Sequence, residues 1–198
     1  MQAVMISIQP KWCEKIASGK KTVELRKTKP DIETPFKVYI YCTKPKGKYD
    51  YGLCIDRGVC GTLKSVGLLA KCNYEFAVKN EMPILSGKVI GEFLCDHIMR
   101  HCEMANADIA EQQSRVKREK ILEYANGNEV YGWHISDLVI YDEPKEILSF
   151  SYPCKEDCDT CKYNRLNPWA NSIEPVMMCQ RDVTKAPQSW CYVEEIGT

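Results

Sequence analysis

The chain has 198 residues, of which 44% are apolar, which is enough for one hydrophobic core and, by length, for one domain with an appendage. Its 27 Lys and Arg residues balance 27 Asp and Glu residues, and such a composition excludes intrinsic disorder. No apolar run approaches the ~18–20 residues of a membrane helix, and residues 1–10 lack the pattern of a signal peptide. We therefore expect a cytoplasmic protein without a membrane partner.

Charge and cysteine are both unevenly distributed along the chain. Residues 1–50 carry eleven Lys and Arg residues against five Asp and Glu residues, whereas residues 151–198 carry five against seven. A basic N-terminal segment on a neutral chain is either a footprint for phosphate groups or a solvated lysine surface. Five of the twelve cysteines lie in the last 45 residues. We therefore divide the chain into a core of residues 1–150 and a Cys-rich appendage of residues 151–198.

The order of apolar residues predicts several strands in the first 150 residues. In chain order, these strands are residues 4–8, 21–27, 36–42, 88–98, 131–135 and 138–141. Gly91 indicates a bulge or bend in its strand, because glycine inside a strand often marks one. Residues 142–144 are predicted as a turn, and residues 43–87 as long loops with short elements.

Only two helices are clear from the sequence. A short helix opens at Pro10, and Gly19 follows its last periodic residue. A long helix covers residues 106–125, with Asp108 and Glu111 resembling a capping box. Strands interrupted by so few helices indicate an α+β fold, with an antiparallel β-barrel or sheet and helices attached to it.

A cluster of charged residues lies where the first helix gives way to the second strand. Glu24 and Arg26 are two residues apart and share one face of this strand, roughly 6–7 Å from each other, and Lys21 lies at the turn before them. A carboxylate accepts from an exocyclic amine, and a guanidinium donates to a base edge or a phosphate. The cluster therefore indicates either recognition of a polar planar ligand or an exposed set of cross-strand ion pairs.

The spacing of this cluster, Gly19-x-Lys21-x-x-Glu24-x-Arg26, matches the G-x-K-x-x-E-x-R signature of the ASCH domain, a member of the PUA-like superfamily. Three further segments also resemble ASCH sequences: residues 7–12, 87–92 and 131–137. The resemblance covers roughly residues 1–150. It implies a PUA-like mixed or antiparallel β-barrel with flanking helices, and a cleft lined by the signature residues that binds RNA or a modified nucleobase.

One branch of the family resembles amidohydrolases that deacylate an acetylated cytidine with a lysine, a threonine and a glutamate. The lysine matches Lys21, but Glu24 occupies the position of the threonine, so no hydroxyl nucleophile stands there. The third hydrolase residue, the glutamate, would fall near Glu111 in this chain. If the chain is an enzyme, Lys21 and Glu24 are the expected catalytic residues, with Lys21 as base or nucleophile and Glu24 moving protons. A protein-interaction adaptor is a further alternative.

Two further residues are also expected to line the cleft. Thr22 lies within the signature, and Trp12 precedes it and has a ring that can stack on a base. Trp12 and Trp133 are both also interpreted as core residues, in which case His134 faces away from the core.

The Cys-rich appendage has the spacing of a metal site. Its predicted metal ligands are Cys154, Cys158, Cys161 and Cys179, with Cys191 as a fifth candidate. Four thiolates suit a structural Zn²⁺, which would stabilise an appendage too short to form a sufficient core alone. Plain thiols packed against the core, or an iron–sulfur cluster, are the alternatives.

Overall fold

The computed structural model describes residues 1–45, 51–55, 69–79, 81, 84–100, 107–154 and 181–196. The strands are β1 (Gln2–Ile8), β2 (Val23–Arg26), β3 (Phe36–Cys42), β4 (Tyr51–Ile55), β5 (Leu69–Asn73), β6 (Val89–Cys95), β7 (Ile98–Arg100), β8 (Tyr131–His134), β9 (Ser136–Lys145) and β10 (Trp190–Glu194). The helices are α1 (Pro10–Ala17), α2 (Tyr74–Lys79), α3 (Ala107–Ser114) and α4 (Arg118–Ala125), with a 3₁₀ turn at Ile147–Ser149.

A five-stranded mixed sheet forms the centre of the structure, in the order β10-β1-β3-β6-β9. Only β1 and β3 run parallel, and the other neighbours are antiparallel. A second, antiparallel sheet has the order β2-β8-β7, and β4 pairs with β5. The predicted α+β class is confirmed. The predicted barrel is not, because within the described residues β9 and β10 remain at opposite edges of the central sheet.

Both faces of the central sheet are covered, so its inner strands are apolar on both sides. Val4, Ile6 and Ile8 of β1 belong to one buried cluster, whereas Ala3 and Met5 belong to a second. Successive residues of a strand point to opposite faces, which explains this division. Strand β1 is therefore held on both of its faces, and α1 begins directly after it.

Helix α1 has the ends that the sequence predicts. Pro10 occupies the first turn, and Cys13 and Ile16 are buried against the sheet. Gly19 follows the helix with a φ of +68°, a conformation that glycine adopts without steric cost. Its N–H donates to the carbonyl of Ile16, and the N–H of Lys21 donates to the carbonyl of Lys15. These two hydrogen bonds turn the chain from α1 into β2.

The predicted long helix over residues 106–125 is wrong as a single element. It is broken between α3 and α4 at Arg115, which has a φ of +58°. The carboxylate of Glu111 accepts from the N–H of Arg118 at 3.1 Å, and so bonds one of the free donors at the start of α4. In a continuous helix this N–H would bond to the carbonyl of Ser114. The break therefore frees that carbonyl for another donor.

The predicted strand over residues 88–98 is divided between two sheets. Strand β6 ends at Cys95, Asp96 and His97 form the link, and β7 begins in the second sheet. The predicted irregularity at Gly91 is confirmed, since the register shifts beside it and an added Cβ would collide with the carbonyl oxygen of Val139. Strand β9 continues through the predicted turn at residues 142–144. There the register jumps from Ile140 to Lys145.

Residues 181–196 of the predicted appendage form part of the central sheet through β10, which pairs with β1. Trp190 and Tyr192 lie against the main buried cluster. The Trp190 indole N–H donates to the hydroxyl of Thr28 at 2.9 Å, and the Tyr192 hydroxyl accepts from the N–H of Asp31 at 2.7 Å. No helix among the described residues is long and apolar enough to cross a membrane.

Candidate functional site

A cleft of about 950 Å³ lies beside the charged signature. Its walls come from residues 7–12 at the end of β1 and the start of α1, from the signature residues of β2, and from residues 43–45 after β3. Residues 186–188 close it from the C-terminal segment, and Val116, Ile121 and Tyr124 close it from the broken helix. Segments distant in sequence therefore meet around Lys21, Glu24 and Arg26.

Lys21 lies at the bottom of this cleft and is only 2% exposed. Its ammonium donates to the carbonyls of Val23 and Ser114 at 2.8 and 2.9 Å, and lies 3.2 Å from a carboxylate oxygen of Glu24. The three acceptors match the three N–H donors of an ammonium group. The carbonyl of Ser114 is the one that the helix break frees, so the break between α3 and α4 holds Lys21 in place.

Burial lowers the pKa of Lys21 below its ordinary value, because the charged form loses its hydration. The carboxylate of Glu24 opposes this effect, and the guanidinium of Arg26 adds to it. Lys21 is therefore an ammonium group whose proton is held less tightly than that of a surface lysine.

Glu24 bridges the two cations of the signature. One of its oxygens faces the Lys21 ammonium, and the other lies 3.0 Å from a terminal nitrogen of Arg26. Glu24 itself is 7% exposed. The three side chains form a buried network with a net charge of +1, rather than the exposed set of ion pairs that was the alternative from the sequence.

Arg26 is held by backbone and side-chain acceptors at the side of the cleft. The terminal nitrogen that contacts Glu24 also donates to the carbonyl of Ser7 at 2.7 Å, and the other lies 3.5 Å from the hydroxyl of Ser189. Its Nε is buried and has no hydrogen-bond partner among the described residues. A buried donor without a partner costs free energy.

Trp12 is half-buried on α1, where it lines the cleft and also packs against the main core. Three ammonium groups lie near the centre of its indole ring: those of Lys11, Lys15 and Lys21, at 5.0, 4.8 and 5.3 Å. Such distances are typical of cation–π contacts. Trp133, by contrast, is fully buried in the core, as predicted.

The charge of the cleft is positive. Lys11, Lys21, Arg26 and Lys44 line it, against the single carboxylate of Glu24, which leaves a net charge of +3. Lys11 and Lys44 are exposed at the rim, whereas the other charges are buried. The cleft therefore presents two exposed cations to solvent above one buried network.

Two residues suggested by the sequence lie elsewhere. Thr22 is half-buried and is not part of the cleft lining. Its N–H donates to the carbonyl of Gln113, and its carbonyl accepts from the N–H of Ile135, both at 2.9 Å. Glu111, the position suggested for the third hydrolase residue, bonds to the start of α4 instead. Neither side chain therefore joins Lys21 and Glu24.

Of the predicted metal ligands, only Cys154 falls within the described residues, where it is half-buried and not in a disulfide. Cys158, Cys161 and Cys179 lie outside the described residues. Cys191, the fifth candidate, lies on β10 and is likewise not in a disulfide. The zinc site stays a prediction.

Sequence reasoning did not identify several residues that shape the cleft. Ser7 and Ser114 act through backbone carbonyls, which carry no sequence signature. Lys44 and Gln188 line the cleft from loops that lie near it only after β3 and β10 have joined the central sheet. The basic composition of residues 1–50 was the single signal for Lys11 and Lys44.

No protein-family model and no curated protein sequence matches the chain. Among solved structures, the chain is similar to an ASCH protein of Zymomonas mobilis. Identity is 16% and the TM-score 0.45, over 98% of this chain and 88% of that chain. Two single-residue mutants of that protein match with TM-scores of 0.45 and 0.43, over 91% and 89% of their length. The predicted resemblance to ASCH domains is in accord with this similarity, which at 16% identity transfers no residue roles.

Proposed function

We propose that the cleft binds a nucleic-acid-type ligand, either RNA or a modified nucleobase. One observation supports this most directly: a cleft with a net charge of +3 has the ring of Trp12 in its wall. Phosphate groups attract lysine and arginine side chains, and bases stack on aromatic rings. The combination is typical of surfaces that hold a short stretch of single-stranded nucleic acid.

The exposed cations at the rim and the buried cations at the bottom of the cleft contact different parts of the ligand. Lys11 is an exposed side chain, so its ammonium can leave the Trp12 ring and pair with a phosphate. This movement removes one of the three cations that lie against the ring. At the bottom, Glu24 fixes the guanidinium of Arg26, whose positive charge attracts a carbonyl or phosphate oxygen of the ligand.

Binding of a fluorescent single-stranded RNA oligonucleotide, followed by anisotropy, tests the proposal. We expect Trp12→Ala to weaken binding about 5- to 150-fold, since loss of stacking costs roughly 1–3 kcal/mol per base. Tyr152→Ala is the matched control, because Tyr152 is an exposed aromatic residue outside the cleft lining. Equal affinity of the Trp12→Ala variant and the wild-type protein, with both shown to be folded by circular dichroism, would contradict the proposal.

A deacylase of acetylated cytidine is the second candidate, because Lys21 is buried, has a lowered pKa and lies beside Glu24. Two features weigh against it. The ammonium of Lys21 already donates to three acceptors, and position 24 has a carboxylate where the hydrolase branch has a hydroxyl. Chromatography for cytidine released from acetylcytidine tests this candidate. Release that disappears in a Lys21→Met variant shown by circular dichroism to be folded would establish hydrolysis and displace simple binding.

A further inference from the structure

We propose that Asp96, His97 and His134 form a surface site for a divalent transition-metal ion of the Zn²⁺ type. The Nδ1 atoms of His97 and His134 lie 2.9 and 2.7 Å from the same oxygen of Asp96. The two imidazole rings are stacked, with centres 4.4 Å apart and an angle of 23° between their planes. Three possible ligand atoms from three residues therefore lie within 4.8 Å of one another.

The backbone around this site holds the three side chains in position. Asp96 and His97 form the two-residue link between β6 and β7, and His134 is the last residue of β8. The N–H of His134 donates to the carbonyl of His97 at 3.1 Å, and the thiol of Cys95 donates to the same carbonyl at 3.5 Å. The link is thereby tied to β8, so the geometry does not depend on long, freely moving side chains alone.

The chemistry of the three ligands suits a borderline transition metal. Two imidazole nitrogens and one carboxylate oxygen coordinate Zn²⁺ at about 2.0–2.2 Å and leave a fourth position for water. A tetrahedral arrangement at such bond lengths places ligand atoms about 3.4 Å apart, so the two Nδ1–oxygen distances must widen by about 0.6 Å. Asp96 and His97 are 42% and 48% exposed, and His134 is 28% exposed, so side-chain rotation and access for the ion are both available.

The site is separate from the cleft. Val23 is paired with His134, and Glu24 with Trp133, across β2 and β8. Because successive residues of a strand point to opposite faces, His134 lies on the face away from Glu24 and the buried Trp133. Metal binding here therefore neither requires nor tests the proposed ligand binding in the cleft. It also differs chemically from the cysteine site predicted from the sequence, which has thiolate ligands only.

Nuclear magnetic resonance of protein labelled with ¹⁵N in its histidines tests the site directly. The purified protein is first analysed for bound zinc, and Zn²⁺ is then added stepwise at pH 7. We expect the imidazole nitrogen resonances of His97 and His134 to change saturably, with each resonance assigned from His97→Ala or His134→Ala. The chain has twelve cysteines, and this readout separates binding to histidine from binding to thiolates.

The affinity of the same site is measured by calorimetric titration with Zn²⁺. We expect His134→Ala and the nearly isosteric Asp96→Asn to weaken this binding at least tenfold, with Asp142→Asn, an exposed carboxylate on β9, as the matched control. Thermal unfolding in a chelator establishes that the variants fold. If the His97 and His134 resonances stay unchanged while Zn²⁺ binds elsewhere, or both variants keep the wild-type affinity, the three residues form an ion pair only and the proposal is overturned.

Discussion

The dependence of RNA binding on salt follows from the charges of the cleft. Four cations and one carboxylate line it, and Glu24 neutralises one of the two buried cations because it lies within 3.2 Å of both. Three positive charges remain to replace counterions on the phosphates. For a single strand, the slope of log affinity against log salt is about −0.7 per phosphate, so we expect a slope of about −2.

Replacing the two rim lysines distinguishes the contribution of the exposed charges to the salt dependence from that of the buried network. Lys11→Ala combined with Lys44→Ala leaves a net charge of +1 in the cleft. We therefore expect the slope to fall to about −0.7. Between 50 and 200 mM salt, the wild-type affinity should then decrease about 20-fold and that of the variant about threefold.

Anisotropy titrations at four or five salt concentrations measure both slopes. The control combines Lys79→Ala with Lys117→Ala, which removes two exposed lysines that are not in the cleft lining. Because this control has the same net charge as the rim variant, it separates a local effect from the field of the whole protein. A wild-type slope near zero, or a slope that both variants reduce equally, would refute the assignment of phosphate contacts to the rim. A slope near zero would also favour the protein-interaction adaptor.

Two further predictions concern the stability of the fold. Lys21→Met should lower the free energy of unfolding by roughly 2–4 kcal/mol, because Glu24 loses one of its partners and two buried carbonyls lose a donor. Urea denaturation measures this, and Lys15→Met, a less buried lysine over the same Trp12 ring, should change it by less than about 0.5 kcal/mol. Burial and the hydrogen bond to Glu92 raise the pKa of Tyr141 above its ordinary value near 10. The unfolded chain therefore loses this proton first, and the free energy of unfolding should fall above pH 10, by about 0.5–1 kcal/mol at pH 11 after allowance for partial exposure. Tyr141→Phe should flatten that part of the pH profile, and an unchanged profile would show that other groups cause the loss.

The local parts of the structure were predictable, and the long-range parts were not. The turn from α1 into β2 depends on neighbours such as Pro10 and Gly19, so the sequence predicts it and places Lys21, Glu24 and Arg26 correctly relative to one another. The break at Arg115 was missed because the helical pattern continues through it. Tertiary contacts support its left-handed backbone, among them the hydrogen bond from its side chain to the carbonyl of Lys20 at 2.6 Å.

The contribution of the C-terminal segment is a second long-range feature. The cysteines of residues 151–198 suggested an appendage packed on the core, and Val183 and Val193 of its described part are fully buried in a cluster with residues of β1 and β3. Pairing between β1 and β10 joins residues more than 180 positions apart, and no local pattern encodes such a partner. The cleft wall at residues 186–188 follows from this pairing.

The residue at position 24 determines how the positive charges of the two buried cations, Lys21 and Arg26, are neutralised. A hydroxyl there would have no charge with which to balance Lys21 and Arg26. Burying both cations without a carboxylate would cost several kcal/mol, of the order found when one partner of a buried ion pair is removed. Glu24 instead contacts both, at 3.2 and 3.0 Å, and leaves one net positive charge at the bottom of the cleft. Under the proposed function, that charge attracts an anionic ligand and the same pairing occupies the lysine that hydrolysis would need, so Glu24 favours binding over catalysis.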